Sequence, residues 1–294
     1  MRVTQSMLTN NMMRNLSTSY ERLGKYQDQL NTQKKITKPS DDPVVAIKGM
    51  RYRTDLAEIE QYQDNLTEAY TWMESSDDAL DKVSQALLRI KELTVQASTG
   101  SNGAEEKKSI AIEVEQLKRH IATVVNTKVG NKYIFHGTNT TEPPVNLEGS
   151  QLIPTSTNAV LLDVSKGVKL DVNVDPVSFL QGNNSKNIFT ELGDLINNLN
   201  SDSGDLDEYL STIDFYSSKV TAARADLGAR YNRIELIDDR LGSQEVIANK
   251  IISENEDAEM EEVIINLTTA EAVHRAALSA GSRIIQPTLL DFLR

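Results

Sequence analysis

Cysteine is absent from the 294-residue chain. This absence excludes a disulfide framework, a thiol nucleophile and a cysteine-ligated metal site. Aromatic residues account for only 5% of the chain, with Trp72 as the single tryptophan, and hydrophobic residues account for 39%. Because aromatic side chains contribute much of the buried area in thick cores, this composition favours long, thin helical packing over the core of a large globular enzyme.

Positive charge and long apolar runs are also scarce. The chain has 31 Lys and Arg against 43 Asp and Glu, which gives a net charge of −12 and a pI near 4.8. This acidity predicts no nucleic-acid partner and no attraction to anionic membrane surfaces. No run approaches the ~20 apolar residues of a membrane span, so we expect no membrane insertion. Residues Met1–Ser6 lack the apolar centre of a secretory signal peptide, so we expect any export to use another signal.

Residues typical of catalytic or metal sites do not occur in the required local patterns. The three histidines are His120, His136 and His274. They are too far apart in sequence to form a local metal-binding pair, so a structural or surface role is expected for each. The carboxylates from Glu254 to Glu262 lack the spacing and the glycine of a calcium-binding loop, and indicate a solvated helical face or a joint between two long helices. We predict that the chain is not an enzyme and holds no cofactor or metal.

Apolar residues spaced alternately by three and four positions dominate the region from Pro43 to Ser98. The members of this seam are Ile59, Tyr62, Leu66, Ala69, Met73, Ser76, Leu80, Val83, Leu87, Ile90, Thr94 and Ala97. No proline follows Pro43 before the glycines Gly100 and Gly103, so the spacing predicts one continuous helix of roughly 80 Å at ~1.5 Å per residue. A helix that is apolar along one narrow stripe must pack against other long helices.

The same spacing predicts further helices on either side. They span Met7 to Leu30, about Ala104 to Asn126, Ile188 to Leu199, Leu206 to Asn255, and a last segment that includes Val263 and ends before Pro287. From Gly137 to about Asn184, prolines and short alternating apolar runs indicate strands and turns. The expected fold is mainly α, with a long antiparallel coiled-coil-like helical rod, paired terminal helices and a small β-rich insertion.

The expected organisation is symmetric about the insertion. The predicted segments are 1–38, the first terminal helix; 39–136, the first half of the rod; 137–185, the β-rich insertion; 186–255, the second half of the rod; and 256–294, the last terminal helix. At the first joint, Asp41 and Asp42 precede Pro43, and we interpret both carboxylates as helix-capping groups with Pro43 in the first helical position.

The terminal helices carry apolar stripes too narrow to keep either helix folded alone in water. The positions expected to form an assembly interface are Met13, Leu16, Tyr20, Leu23 and Leu30 in the first helix and Val263, Leu267, Ala270, Ala277, Ile284, Leu289, Leu290 and Phe292 in the last. We expect the first helix to pair with the last, and these pairs to pack against the same pair in neighbouring copies.

Four segments, in this order along the chain, resemble the terminal regions of the flagellin superfamily. They are Met1–Thr4, Lys35–Pro43, Arg224–Glu235 and Ile285–Leu293. Flagellins usually carry an Ile-Asn-Ser-Ala-Lys-Asp-Asp type of joint and an Ala-Asn-Gln type of ending, whereas this chain has Thr37–Pro43 and Gln286–Leu290 at those places. At these two places, and in the segment Tyr133–Thr138, the chain resembles the branch of the superfamily that joins hook to filament.

The resemblance implies a structural subunit of the bacterial flagellum that supports swimming motility. Its partners would be the first hook-associated protein, flagellin and copies of itself in a ring between the two. It further implies export by the flagellar type III apparatus with a cytoplasmic export chaperone, and an extracellular location. In this superfamily the terminal helices form the inner tube, the long helices surround it, and the insertion lies outermost.

Two alternatives remain open at this point. A short flagellin, acting as a filament subunit, would share the same terminal segments. A secreted coiled-coil adhesin would instead use the insertion to bind a host or environmental ligand.

Overall fold

The computed structural model describes residues 5–99, 103–146, 151–152, 158–182, 186–201 and 206–285. Its helices are α1 (Gln5–Thr32), α2 (Pro43–Ser98), α3 (Ala104–Val125), α4 (Pro176–Leu180), α5 (Ile188–Ser201), α6 (Asp207–Glu256) and α7 (Met260–Ile285). Its strands are β1 (Lys128–Val129), β2 (Lys132–Tyr133), β3 (Val145–Asn146), β4 (Gln151–Leu152), β5 (Leu161–Ser165) and β6 (Val168–Asp171). The predicted fold class, mainly α with paired terminal helices and a small β-rich insertion, is confirmed.

The chain forms two compact units. The first unit comprises Met1–Glu58 and Gln244–Arg294, and the second comprises Ile59–Ser243. Both α2 and α6 therefore contribute residues to each unit. Within the described residues, no helix is both long enough and apolar enough to span a membrane.

In the second unit, α2 and α6 run antiparallel and share one apolar seam. On α6 the buried positions recur at three-four spacing: Ile213, Tyr216, Val220, Leu227, Ile234, Ile237 and Leu241. Polar groups beside the seam fix the register. The Arg224 side chain donates to Asp77 and Asp81, at 2.9 and 2.7 Å, and the ring of Tyr231 packs edge-on against Tyr70 at 5.2 Å.

Two polar residues in the predicted α2 seam are fully buried. The Ser76 hydroxyl donates to the Trp72 carbonyl and the Thr94 hydroxyl to the Ile90 carbonyl, each at 2.8 Å. Because each hydroxyl is satisfied within its own helix, a short polar side chain can occupy the seam without an unpaired buried group.

Helix α3 folds back beside α2, as its short connection predicts. Arg89 on α2 and Glu113 on α3 form an ion pair, which places the two helices side by side. Helix α5 packs on α3 through an apolar face that includes Leu192 and Leu195. The buried face of α2 is consequently wider than the predicted seam, and includes Trp72 and residues such as Leu93.

The insertion consists of antiparallel hairpins and a short helix. Strands β5 and β6 pair around Gly167, whose positive φ of 76° suits glycine at this turn. The buried His136 has a structural role, because its Nδ1 lies 2.6 Å from the Glu142 carbonyl oxygen. Helix α4 lies within the stretch predicted to be strands and turns. It begins at Pro176, after the Asp175 carboxylate caps the Val177 N–H at 2.9 Å.

Candidate assembly interface

The first unit is built on the antiparallel pairing of α1 with α7. At one end of the pair, the Ala258 N–H donates to the Gln33 carbonyl at 2.9 Å. Further along, the rings of Tyr20 and His274 lie 6.0 Å apart. Beyond them, the terminal methyl group of Met12 occupies the space that a Cβ at Gly281 would need, so α1 packs against α7 where α7 carries glycine.

Some of the predicted interface residues lie between α1 and α7, and others lie on the exposed surface of the pair. On α1, Leu16, Leu23 and Leu30 are half-buried, whereas Met13 and Tyr20 are exposed; on α7, Val263 is buried and Leu267, Ala270 and Ala277 are half-buried. The Ile284 side chain and the residues Leu289, Leu290 and Phe292 lie outside the described part of the chain. The pairing of α1 with α7 therefore covers only part of the predicted stripe on α1.

The first unit buries very little apolar surface. Within the described side chains, every member of the hydrophobic core cluster belongs to the second unit, and Val263 is the one buried hydrophobic residue in the first. Of the nineteen large apolar side chains that are exposed among those the structure describes, fourteen belong to the first unit, although it is the smaller of the two. Contiguous exposed apolar surface marks contacts with other proteins.

Among the described side chains of the first unit, exposed large apolar residues lie on all four helical segments. They are Met7, Leu8, Met13 and Tyr20 on α1, Val44, Ile47 and Met50 on α2, Val246, Ile247 and Ile251 on α6, and Ile264, Ile265, Val273 and Leu278 on α7. Of these residues, the apolar periodicity predicted Met13 and Tyr20 as interface positions, because periodicity selects the single stripe that faces a partner helix. The signal was present in runs such as Val263-Ile264-Ile265, in which only one side chain can face inward.

The joint before α2 is closed by two adjacent carboxylates with different roles. Asp42 caps α2, because its Oδ1 accepts from the N–H groups of Val44 and Val45 at 2.9 and 3.1 Å. Asp41 instead closes the preceding loop, where its Oδ2 accepts from the N–H groups of Lys38 and Thr37 at 2.9 and 3.2 Å. These backbone hydrogen bonds, that from Lys38 foremost, lower the pKa of Asp41.

The break between α1 and α2 lies beside the break between α6 and α7. The Lys35 N–H donates to the Glu256 carbonyl at 2.6 Å, and Lys34 pairs with Asp257 at 2.6 Å. The hydrogen bond from Lys34, supported by one from Ser253, lowers the pKa of Asp257. The two interruptions in the long helices are thus held together by main-chain and side-chain bonds.

A buried carboxylate, Glu256, lies at the centre of this joint. Its side chain accepts a hydrogen bond from Arg53, which raises the pKa of that guanidinium group, and it lies 3.7 Å from Lys34. A Cβ added to Gly49 would lie 2.5 Å from the Glu256 Oε1, so α2 carries glycine where the carboxylate crosses it. The sequence indicated either a solvated helical face or a joint among these acidic residues, and it did not indicate which carboxylate would be buried.

The described residues contain no group of three or more histidines or carboxylates placed to hold a metal ion. The first unit consists of paired terminal helices, a joint held by hydrogen bonds and ion pairs, and exposed apolar side chains. This arrangement suits association with other protein chains.

Comparison with known proteins places this arrangement in a family. The family profile described as the bacterial flagellin N-terminal helical region matches residues 3–140, and that of the C-terminal helical region matches residues 210–293. The chain belongs to the flagellin superfamily, as the four terminal segments indicated.

Among its relatives are proteins named flagellar hook-associated protein 3. The chain is 24% identical to the one from Escherichia coli, over 94% of this chain and 96% of the relative, and 23% identical to the one from Salmonella typhimurium, over 94% and 95%. A solved structure of a flagellar hook-associated protein from Vibrio parahaemolyticus shares the fold, with a TM-score of 0.70, 24% identity, and coverage of 74% of this chain and all of that chain. The chain is accordingly a structural protein of the bacterial flagellum.

Proposed function

We propose that this protein joins hook to filament in the flagellum, as a ring of identical subunits between the first hook-associated protein and flagellin. The observation that carries the proposal is the contrast between the two units. Among the described side chains, the first unit has one buried hydrophobic residue and most of the exposed large hydrophobic residues. Such a unit gains stability when other chains cover it.

The position at the junction rests on the extent of the similarity. The likeness to hook-associated protein 3 runs through 94% of the chain, including the insertion, whereas the likeness to a Clostridium tyrobutyricum flagellin covers 42%. In this proposal residues 1–38 and 256–294 form the assembling domain, 39–136 and 186–255 the long-helix domain, and 137–185 the insertion.

Export and motility belong to the same proposal. The flagellar type III apparatus exports the chain with the help of a cytoplasmic chaperone, the assembled ring lies outside the cell, and swimming depends on it. The chain performs no catalysis and binds no nucleic acid in this function. Its work is mechanical, because it adapts the hook to a filament of different construction.

A second candidate is a short filament subunit. It is favoured by one observation: the chain is 21% identical to the flagellar filament 30.7 kDa core protein of Treponema maltophilum over 86% of its length. The two functions differ in where the protein lies along the flagellum.

Labelling intact flagella separates these candidates. Because the chain has no cysteine, Asn158→Cys in an exposed loop of the insertion gives one site for a fluorescent maleimide. We expect a single fluorescent spot between hook and filament on flagella from the native host. Fluorescence along the whole filament would instead support the filament subunit, and unlabelled flagella would refute both functions.

A further inference from the structure

The first unit carries two exposed apolar faces with charges of opposite sign. The α2 face consists of Val44, Ile47 and Met50, which are 61%, 63% and 61% exposed, together with the exposed cations Lys48 and Arg51. The α7 face consists of Ile264 and Ile265, which are 48% and 63% exposed, together with the exposed anions Glu261 and Glu262.

Helical geometry brings the charges beside the apolar groups on each face. Arg51 follows Ile47 by four residues, so it lies one turn away on the same side of α2. Glu261 precedes Ile265 by four residues on α7. Each face therefore has exposed apolar groups flanked on the same helix by two charges of one sign, its rim.

The charges of these faces belong to a wider asymmetry in the first unit. Residues 1–58 contain ten Lys or Arg against six Asp or Glu, whereas residues 244–294 contain four against nine. Within the described residues, no ion pair is formed by Lys48, Arg51, Glu261 or Glu262. No ion pair within the described residues therefore neutralises these four charges.

We propose that the α2 face of one copy binds the α7 face of the next copy. This inference rests on the proposed function, and it names the surfaces through which neighbouring subunits meet. Apolar contact supplies most of the attraction, while the opposite rims select the partner face and its orientation.

The signs of the rims also determine the symmetry of the contact. Two copies that met through the same face would place like charges together, which disfavours a two-fold dimer. Pairing of unlike faces is head-to-tail, and such contacts repeat around a ring or along a helix. The charge pattern therefore favours a closed or continuing series of subunits over an isolated pair.

Disulfide cross-linking between copies tests the proposal. Two full-length variants, Ile47→Cys and Ile265→Cys, are produced together in the native host, and flagella are isolated and oxidised. Since the chain has no other cysteine, we expect disulfide-linked dimers when both variants are present and none with either alone. Leu236→Cys, which is 71% exposed in the second unit, replaces Ile265→Cys as the control and should give no dimer.

Charge reversal then distinguishes a specific contact from chance proximity. Reversing the α2 rim with Lys48→Glu and Arg51→Glu should lower the cross-linked fraction about tenfold, equivalent to ~1.4 kcal/mol. Reversing the α7 rim with Glu261→Lys and Glu262→Lys should do the same. With both rims reversed, the yield should return, which folding defects in the single-rim variants could not produce.

The outcomes separate this inference from the proposed function. Cysteine variants that enter the junction but do not cross-link above the Leu236→Cys control would overturn the pairing of faces and leave the function standing. Equal yields before and after reversal of one rim would also overturn it. Failure of the fluorescent Asn158→Cys protein to appear at the junction would refute the function itself.

Discussion

Replacing Gly49 with alanine tests whether the buried Glu256 fixes the joint of the first unit. In an exposed helix, Gly→Ala stabilises by ~0.8–1 kcal/mol. At Gly49, however, the new Cβ would lie 2.5 Å from the Glu256 Oε1, and moving that carboxylate away breaks its hydrogen bond to Arg53. Overpacking of this kind costs ~1–3 kcal/mol. We therefore expect Gly49→Ala to be destabilising overall, by up to ~2 kcal/mol.

Two matched variants test whether the Glu256 side chain causes this destabilisation. Gly24→Ala lies in α1 with no atom within 4 Å of the new Cβ, so it should stabilise by ~0.8 kcal/mol. In a Glu256→Ala background the obstruction is gone, and Gly49→Ala should become stabilising by a similar ~0.8 kcal/mol. The sign of the Gly49→Ala effect should therefore reverse between the two backgrounds.

Urea unfolding measured by two probes provides the assay. Far-UV circular dichroism reports helix in both units, whereas fluorescence of the single, buried Trp72 reports the second unit. The change caused by Gly49→Ala should appear in the dichroism transition and leave the fluorescence transition unchanged. Equal stabilisation by Gly49→Ala with and without the Glu256 side chain would show that this carboxylate does not obstruct a Cβ at position 49.

Three further predictions concern the elements that position the assembly surface. Asp42→Ala should destabilise the start of α2 by ~1 kcal/mol because two N–H groups lose their acceptor, while Asp42→Asn, which can still cap, should match the parent in dichroism-monitored unfolding. Leu87→Ala should cost ~2–5 kcal/mol in Trp72-monitored unfolding because Leu87 is fully buried, whereas the neighbouring, 55%-exposed Leu88→Ala should change little; equal costs would contradict the packing of α2. Burial, followed by the charge of Glu191, raises the pKa of Tyr216 from 10.0 to about 12. The folded state therefore keeps a proton that the unfolded state releases in this range, so stability should fall as pH rises from 10 to 12, and Tyr216→Phe should make that fall smaller.

The long helices were predictable because their signals are local and repeated. Pro43 after Asp42 defined the start of α2, and the seam repeated without interruption as far as Ala97. Asp175 before Pro176 is the same kind of signal, and it starts α4. In the sequence, however, the alternating apolar residues around it favoured strands and turns. Helix α4 has only five residues, too few for any periodicity to show.

Features that depend on distant contacts were harder to predict. Trp72 and Leu93 lie outside the three-four seam, and are buried because other elements of the second unit widen the covered face of α2. Glu256 could not be chosen among its acidic neighbours, since its burial depends on Arg53 and Gly49 some two hundred positions earlier. The assembly surface was predicted only as one stripe on each terminal helix, because apolar periodicity does not indicate which further faces a second copy will cover.

We expect α1 and α7 to reach full stability only when other subunits cover them, and amide hydrogen exchange can test this dependence residue by residue. In the dissolved monomer, amides of α1 and α7 should exchange ~100-fold faster than those of residues 66–97 in α2, a difference of ~2.7 kcal/mol in opening free energy. In isolated flagella the two groups should approach equal protection. Equal protection of α1, α7 and residues 66–97 in the monomer would show that the terminal helices are fully stable without other subunits.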